Sequence, residues 1–249
     1  MNPYTKNINR IELVITYACT GRCKHCSEGD HAMCGESIDA DIAAKAVYRL
    51  AEEYKIKSLM TFGGEPLLYP EAVCKIHSTA KAVGILKRQL ITNGFFSTDR
   101  KRIAEVAENL AKSGVNDILL SVDAFHQETI PLEPVKVFAQ EVKAGVSIRT
   151  SPAWLVSKTD DNSYNQKTRE VLNEFRQMGI SEADGNVVFP SGNALKYLSE
   201  YFDPNVVFEN PYEEDPNDIR AISIEPDGRV LGGNAYVDDI CEIINKYKP

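Results

Sequence analysis

Six short runs rich in β-branched and aliphatic residues recur along the chain: Ile11 to Thr16, Lys57 to Phe62, Gln89 to Thr92, Asp117 to Val122, Val146 to Thr150 and Asn186 to Phe189. Most are separated by about the length of one strand–helix unit. Between them apolar residues return at helical spacing. Ile42, Ala43, Ala46, Val47, Leu50 and Tyr54 form one stripe, Ile103, Val106, Ala107, Leu110 and Ala111 a second, and Val171, Leu172, Phe175 and Met178 a third. Each stripe is suited to cover a sheet. Pro134 near the start and Gly145 past the end of another segment follow the usual asymmetry of helix termini, which predicts a helix between the fourth and fifth strands. Alternating strands and helices imply a parallel sheet with right-handed crossovers, either doubly wound or curved into an incomplete barrel. In both, the loops leaving the carboxyl ends of the strands build the site.

The rhythm changes after Gly192. A short helix over Asn193 to Phe202 leads into NPYEEDPNDIR, whose Pro, Asn and acidic residues read as a loop. AISIEPDGRVLGGN then offers two short strands around the turn Pro226-Asp227-Gly228, and a last helix runs from Val237 to Tyr247. The chain therefore divides into a core over residues 1–192 and an extension over residues 193–249. With no flexible linker or repeat between them, the extension is expected to pack on the core.

A length of 249 residues suits one large domain or one domain with an appendage. A net charge of −8 and a pI near 5.2 provide no chain-wide basic surface, which disfavours general nucleic-acid binding. The amino terminus MNPYTKNINR lacks the apolar segment of a secretory signal, and no run of about 18 apolar residues is present to span a bilayer. The chain thus reads as soluble and cytoplasmic. Six cysteines could form three disulfides, but a chain of this size does not need them, and three of the six fall within eight residues. In a reducing compartment, clustered thiols point to a metal.

Those three, Cys19, Cys23 and Cys26, lie in VITYACTGRCKHC directly after the first predicted strand, in a loop containing Gly21 that can wrap around a compact object. Thiolates are soft ligands, and this spacing lets three sulfurs converge on one inorganic centre. A four-iron cluster held by three thiolates keeps one iron open to a substrate or cofactor. Zinc would want a fourth ligand, and His25, set between two cysteines, is a poor candidate; three unrelated thiols are the other alternative. The second strand ends in TFGGEPLL, where Gly63 and Gly64 let the backbone approach a ligand and Glu65 presents a carboxylate at the carboxyl end of the sheet. The fourth strand ends in LLSVDAFHQE and the fifth in VSIRTSPAW, so Ser121, Asp123 and Arg149 are expected near the same open end.

This combination resembles the radical S-adenosylmethionine (SAM) superfamily, whose CxxxCxxC loop follows the first strand and whose GGEP motif follows the second; the resemblance covers roughly residues 8 to 192. It implies a partial (β/α)6 TIM-like barrel and a [4Fe-4S] cluster on Cys19, Cys23 and Cys26. It further implies reductive cleavage of SAM to a 5′-deoxyadenosyl radical that removes a substrate hydrogen, with a low-potential electron donor of the flavodoxin or ferredoxin type. His25 stands where the family usually places an aromatic residue against the adenine. By the same resemblance, Gly63, Gly64 and Glu65 bind the amino group of SAM, Ser121 of the S-x-D strand end binds its ribose or carboxylate with Asp123 beside it, and Arg149 pairs with the carboxylate. A planar guanidinium suits that role; a strand-end arginine in a structural ion pair is the alternative. Asn93 closes the third strand in the family's TNG pattern, although Asn93-Gly94 is also simply a turn. Val188 and Leu195 occupy the place of a looser adenine-supporting motif, or else belong to the core.

His126, Gln127 and Glu128 follow Asp123 on the expected active face, where His126 is suited to move protons near neutral pH. Cys74 and Cys241 fall in predicted helices and read as buried small hydrophobes, whereas Cys34, ending the cysteine loop region, is a candidate hydrogen donor to a substrate radical. ISIEPDGRVLGGN resembles the hairpin of the SPASM or twitch extensions on peptide- and protein-modifying members. Gly232, Gly233 and Asn234 stand where auxiliary-cluster cysteines would be, so no second cluster is expected. The size and the opening NPYTKNINRIELVITYACTGRCKHC are also similar to the small members called mobile-pair proteins. The hairpin favours a peptide substrate; the short chain without auxiliary cysteines favours a small molecule, and one scaffold can host both. The rival function is an iron–sulfur electron carrier or redox sensor without radical catalysis, against which GGEP and Arg149 argue because neither is needed to hold a cluster.

Overall fold

In the computed structural model, which describes residues 2–32, 35–206, 208, 210 and 213–249, the apolar runs assemble into one parallel sheet. In chain order the strands and crossover helices are β1 (Arg10–Val14), α1 (Ala40–Glu53), β2 (Ser58–Phe62), α2 (Pro70–Ala82), β3 (Lys87–Thr92), α3 (Arg100–Ser113) and β4 (Asp117–Leu120). Next come α4 (Ala124–Gln127), α5 (Leu132–Glu141), β5 (Ser147–Thr150), β6 (Ala153–Trp154), α6 (Ser163–Gln177), β7 (Ser181–Glu182) and β8 (Asn186–Val187). The remainder is α7 (Gly192–Tyr197), a 3-10 turn (Ser199–Tyr201), β9 (Ala221–Ile224), β10 (Arg229–Val230), β11 (Gly233–Asn234) and α8 (Ile240–Lys246). The seven-stranded sheet has the order β7-β5-β4-β3-β2-β1-β9, with every neighbouring pair parallel, the alternation of a partial TIM-like barrel.

Helix starts are set locally: the side chains of Asp39, Asp99 and Asn162 accept from first-turn N–H groups of α1, α3 and α6. The pleat then separates two faces of the sheet. Ile11, Leu13, Leu59, Leu90, Ile118, Leu120 and Ile222 are buried on one face, in a core shared with Val47 and Leu50 of α1, Val73 and Ile76 of α2, and Val106 and Leu110 of α3. Each fully buried side chain of this kind contributes about 1.5–3 kcal/mol. Across the other face, the register aligns Ser223, Glu12, Met60, Gln89 and Asp117 in one row.

Two expectations change. The sixth strand of the sheet is Ser181–Glu182, not Asn186 to Phe189: β7 pairs with β5, while β8 pairs with β6 apart from the sheet. The tail also departs from a simple hairpin. The turn forms as expected, with Gly228 N–H donating to Glu225 O at 2.9 Å. Yet β9 joins the main sheet beside β1, Ile222 opposite Ile11, and β10 pairs instead with β11. Burial explains the choice, because Ala221, Ile222 and Ile224 are all covered in the sheet. Residues beyond 192 are therefore continuous with the core: Ile219, Ile222, Ile224, Ile240 and Ile244 share one cluster with Ile8 and Ile11. Asn2 ties the two ends of the chain together, its Nδ2 donating to the carbonyls of Ile244, Asn245 and Tyr247 at 3.0, 3.3 and 2.7 Å. No helix among the described residues is long and apolar enough to cross a membrane.

Candidate functional site

Past β1 the chain makes an excursion whose base is closed by hydrogen bonds. Ile38 N–H donates to Ile15 O at 2.8 Å, and Thr16 Oγ1 accepts from Ala18 N–H (3.0 Å) while donating to Glu36 O (2.8 Å). Within it Cys19 and Cys23 are each only 8% exposed and Cys26 is half-buried. The sulfurs of Cys23 and Cys19 lie 3.2 and 3.7 Å from the point a Cβ on Gly21 would occupy, so both approach one spot. Cys26 Sγ lies 3.2 Å from His31 Nε2, whose Nδ1 is 2.7 Å from Tyr17 O. Burial pushes the Cys19 thiol up to about 11 and raises those of Cys23 and Cys26. Buried, mutually repelling sulfurs are costly as thiolates until a cation shares them, and this donor set fits an iron–sulfur cluster.

The Gly-Gly-Glu-Pro segment is built against this loop. Gly64 N–H donates to Thr16 O and Glu65 N–H to Ala18 O, both at 2.7 Å. A Cβ on Gly63 would sit 2.5 Å from Thr16 O, and one on Gly64 2.1 Å from Ala18 O. The glycines thus permit close approach to the cysteine loop, where the sequence suggested approach to a ligand. Glu65 stands at the carboxyl end of β2, as expected, with its carboxylate 0% exposed. It accepts from Leu67 N–H (2.8 Å), Thr92 Oγ1 (2.6 Å) and Asn93 N–H (2.8 Å), fastening the end of β2 to the end of β3. Burial raises its pKa to about 7 despite these three donors. Asn93 is drawn toward the sulfurs, its Nδ2 3.6 Å from Cys19 Sγ and 3.2 Å from Thr20 Oγ1.

Ser121 lies just beyond β4, half-buried, its N–H donating to Thr92 O at 2.8 Å. Asp123, past the carboxyl end of β4, is fully buried. Its Oδ1 accepts from His126 N–H (3.0 Å), and its Oδ2 accepts from His126 Nδ1 (2.9 Å) and Ala153 N–H (3.0 Å). Burial alone would raise its pKa, but the imidazole and backbone donors outweigh that and hold it well below the carboxylate range. Arg149 departs furthest. Its register partner is Leu119, and its Nη2 reaches back to Asp117, the first residue of β4, at 2.8 and 3.1 Å. This is the structural ion pair that the sequence left as an alternative, directed toward the amino end of the strands.

The His25 ring lies 4.8 Å from Phe125 and 4.9 Å from His126, and Phe125 stacks on Tyr164 at 4.5 Å. Burial lowers the pKa of His25 to about 4. Donor atoms of Cys23, His25 and His126 all lie within 4.8 Å of one another. Val188 joins the small cluster around Cys23 and Phe125, whereas Leu195 is 55% exposed and belongs to no core. Gln127 Oε1 accepts from Asp123 N–H at 3.1 Å, and Glu128 pairs with Lys24 at 3.0 Å. Cys34 lies outside the described residues. Two site neighbours were missed by sequence reasoning. His31 carried only the weak signal of an imidazole five residues past the third cysteine. Asn193, distant in sequence, clamps the loop through N–H to Cys26 O (2.8 Å) and Nδ2 to Cys23 O (3.3 Å).

A family model described as "Radical SAM superfamily" matches residues 13–193. Among curated proteins, the GTP 3′,8-cyclase of Alkaliphilus metalliredigens is 22% identical over 231 residues, covering 92% of this chain and 60% of that protein. The GTP 3′,8-cyclase of Tolumonas auensis is 26% identical over 123 residues, 49% of this chain and 34% of that protein. The chain therefore spans less than two thirds of the length of these relatives. Among solved structures, native anSMEcpe with bound AdoMet aligns with a TM-score of 0.57 at 14% identity, over 94% of this chain and 80% of that one. Streptococcus suis SuiB bound to precursor peptide SuiA aligns with a TM-score of 0.54 at 13% identity, over 97% and 68%. BtrN in complex with AdoMet and 2-DOIA aligns with a TM-score of 0.53 at 14% identity, over 95% and 81%. At these identities the structural likeness establishes the fold.

Proposed function

We propose that this chain, which belongs to the radical SAM superfamily, holds its [4Fe-4S] cluster through Cys19, Cys23 and Cys26 and cleaves SAM there to start hydrogen abstraction from an organic substrate. Enzymes of this family use such a cluster together with SAM. The observation that carries the residue assignment is the packing of the GGEP segment onto the cysteine loop, close enough that a Cβ on Gly64 would fall 2.1 Å from Ala18 O. When bound, the cluster supplies the electron that breaks the bond between the SAM sulfur and its 5′ carbon.

The chain's own residues do the rest. Gly21 N–H (3.3 Å) and Asn93 Nδ2 (3.6 Å) direct donors at Cys19 Sγ, withdrawing charge from a ligating sulfur and tuning the potential of what it holds. Glu65 locks the ends of β2 and β3, so the loops that meet there keep one geometry. Asp123 fixes the orientation of His126. His25, Phe125 and Tyr164 form an aromatic wall that excludes water from a site where a carbon radical would attack whatever is nearest. Ser121, Asn93 and the backbone carbonyls of Gly63 and Gly64, whose N–H side faces the cysteine loop at Gly64, are the polar groups we assign to SAM, and a flavodoxin- or ferredoxin-type protein is the electron source.

The substrate class is a small molecule or a peptide. GTP 3′,8-cyclases are relatives and SuiB with its precursor peptide is a structural neighbour. Auxiliary-cluster cysteines are missing at Gly232, Gly233 and Asn234, which favours a substrate that needs no second cluster. The test is anaerobic reconstitution with dithionite and SAM, scoring 5′-deoxyadenosine by mass. Wild type with a verified four-iron cluster should form it and Cys23→Ala should not; equal yields from the two would leave the electron-carrier reading in place.

A further inference from the structure

We propose that Cys23, His25 and His126 form a mononuclear site for a zinc-class divalent cation, filled only when the chain carries no cluster. The exclusivity rests on the assignment of Cys23 to the cluster; cation binding itself does not. Three observations converge. One donor atom from each residue lies within 4.8 Å of the others, and the two imidazole rings are 4.9 Å apart, so His25, a poor fourth ligand for a three-cysteine zinc site, falls here into a different donor set with His126. Four-coordinate zinc with its usual bond lengths sets such donors about 3.3–3.6 Å apart, so the donors must draw together by up to about 1.5 Å to complete the geometry. Next, His126 is oriented as metal-ligating histidines are: Asp123 Oδ2 accepts from its Nδ1 at 2.9 Å and is itself fixed by Ala153 N–H at 3.0 Å, leaving the other ring nitrogen for a metal. Finally, His25 Nδ1 is buried with no hydrogen-bond partner among the described residues, a deficit that an imidazole engaged with a metal and its bound water would relieve.

One thiolate with two imidazoles selects zinc or cobalt over magnesium or calcium. Three protein ligands leave the fourth position to water, which keeps the ion removable by chelators. Because Cys23 is shared, an ion here protects that thiol in the cluster-free chain and must leave before the cluster is assembled. No oxidation or reduction is involved; one ligand set exchanges for another, with the Cys23 thiol proton released on either metal.

The test uses the full chain, freed of cluster and treated with chelator under anaerobic conditions, then titrated with cobalt(II). A thiolate-to-cobalt charge-transfer band and the visible bands of a four-coordinate ion are expected, saturating at one ion per chain and bleached by zinc. His25→Ala and His126→Ala should weaken binding at least about tenfold, and Asp123→Asn about 10–100-fold, while Cys19→Ala and Cys26→Ala bind as wild type does. Circular dichroism checks each fold, and His126→Gln replaces His126→Ala if the latter does not fold. Absence of the charge-transfer band in wild type overturns the proposal. So does a band lost in Cys19→Ala or Cys26→Ala but kept in both histidine variants, since that means coordination by three cysteines. A wild-type chain that binds cobalt as described yet accepts no four-iron cluster overturns the cluster assignment alone.

Discussion

Gly64→Ala isolates the contact on which the site is built. Gly64 has no left-handed backbone to strain, so the added methyl acts through space alone. Its Cβ would lie 2.1 Å from Ala18 O, 2.6 Å from Ala18 C and 2.9 Å from Tyr17 O, all backbone atoms that no side-chain rotation can move. Relief requires the segment and the loop to separate by about 1.3 Å, the gap to an ordinary contact, which breaks Gly64 N–H to Thr16 O and Glu65 N–H to Ala18 O, each 2.7 Å. Overpacking costs about 1–3 kcal/mol and each lost bond about 1 kcal/mol, for a total of about 3–5 kcal/mol. The assay is urea unfolding of the cluster-free chain under reducing conditions, followed by fluorescence of Trp154, the single tryptophan and a buried one. Gly35→Ala is the control: its Cβ would meet Ala18 Cβ at an ordinary 3.6 Å, and its effect should stay within about 0.5 kcal/mol. If Gly64→Ala is as stable as Gly35→Ala and takes up a full complement of iron, the close approach does not shape the site.

Three further outcomes are expected. The pKa of Glu65 stands at about 7 in the fold against 4.5 unfolded, so its contribution to stability is complete below about pH 4.5 and is lost as pH rises through about 7. Stability measured for wild type minus that of Glu65→Gln should therefore fall by about 1–3 kcal/mol from about pH 4.5 to about pH 8, and a flat difference would speak against a buried acid there. Ile222→Ala, in the tail strand beside Ile11, should cost about 2–4 kcal/mol in one cooperative transition; a separate early transition would show that the tail folds apart from the core. Asn2→Ala removes three donations to the end of α8 and should cost about 1–3 kcal/mol with faster amide exchange at residues 240–247, whereas unchanged exchange there would deny that the amino terminus holds the last helix.

What the sequence made legible is what local pattern encodes. Five strand–helix units appear because each carries enough residues for a period of two or 3.6 to register, as α1 and α3 illustrate with Ala43 to Leu50 and Ile103 to Leu110. Ser181–Glu182 has two residues and no apolar pattern, so its place in the sheet is set by pairing with Arg149 and Thr150. Pro226-Asp227-Gly228 announced a turn correctly, but a turn does not say which strand its arms will pair with, and burial beside Ile11 decided that for Ala221–Ile224. The cysteine loop and GGEP were visible as motifs. The directions of Glu65, Asp123 and Arg149 were not, because each depends on which neighbour offers hydrogen bonds once the strands are aligned: Thr92 and Asn93 for the first, His126 and Ala153 for the second, Asp117 for the third. His31 reaches Cys26 only because the loop folds back through Tyr17.

Pulsed electron–nuclear double resonance on the reduced cluster, with SAM labelled by 15N in its amino group and 17O in its carboxylate, tests the open-iron assignment most directly. Strong coupling to both labels is the predicted result, since Cys19, Cys23 and Cys26 leave one iron without a protein ligand. Coupling to a histidine nitrogen such as that of His31, with none to either label, would mean that the protein closes the fourth iron and that SAM is not cleaved there.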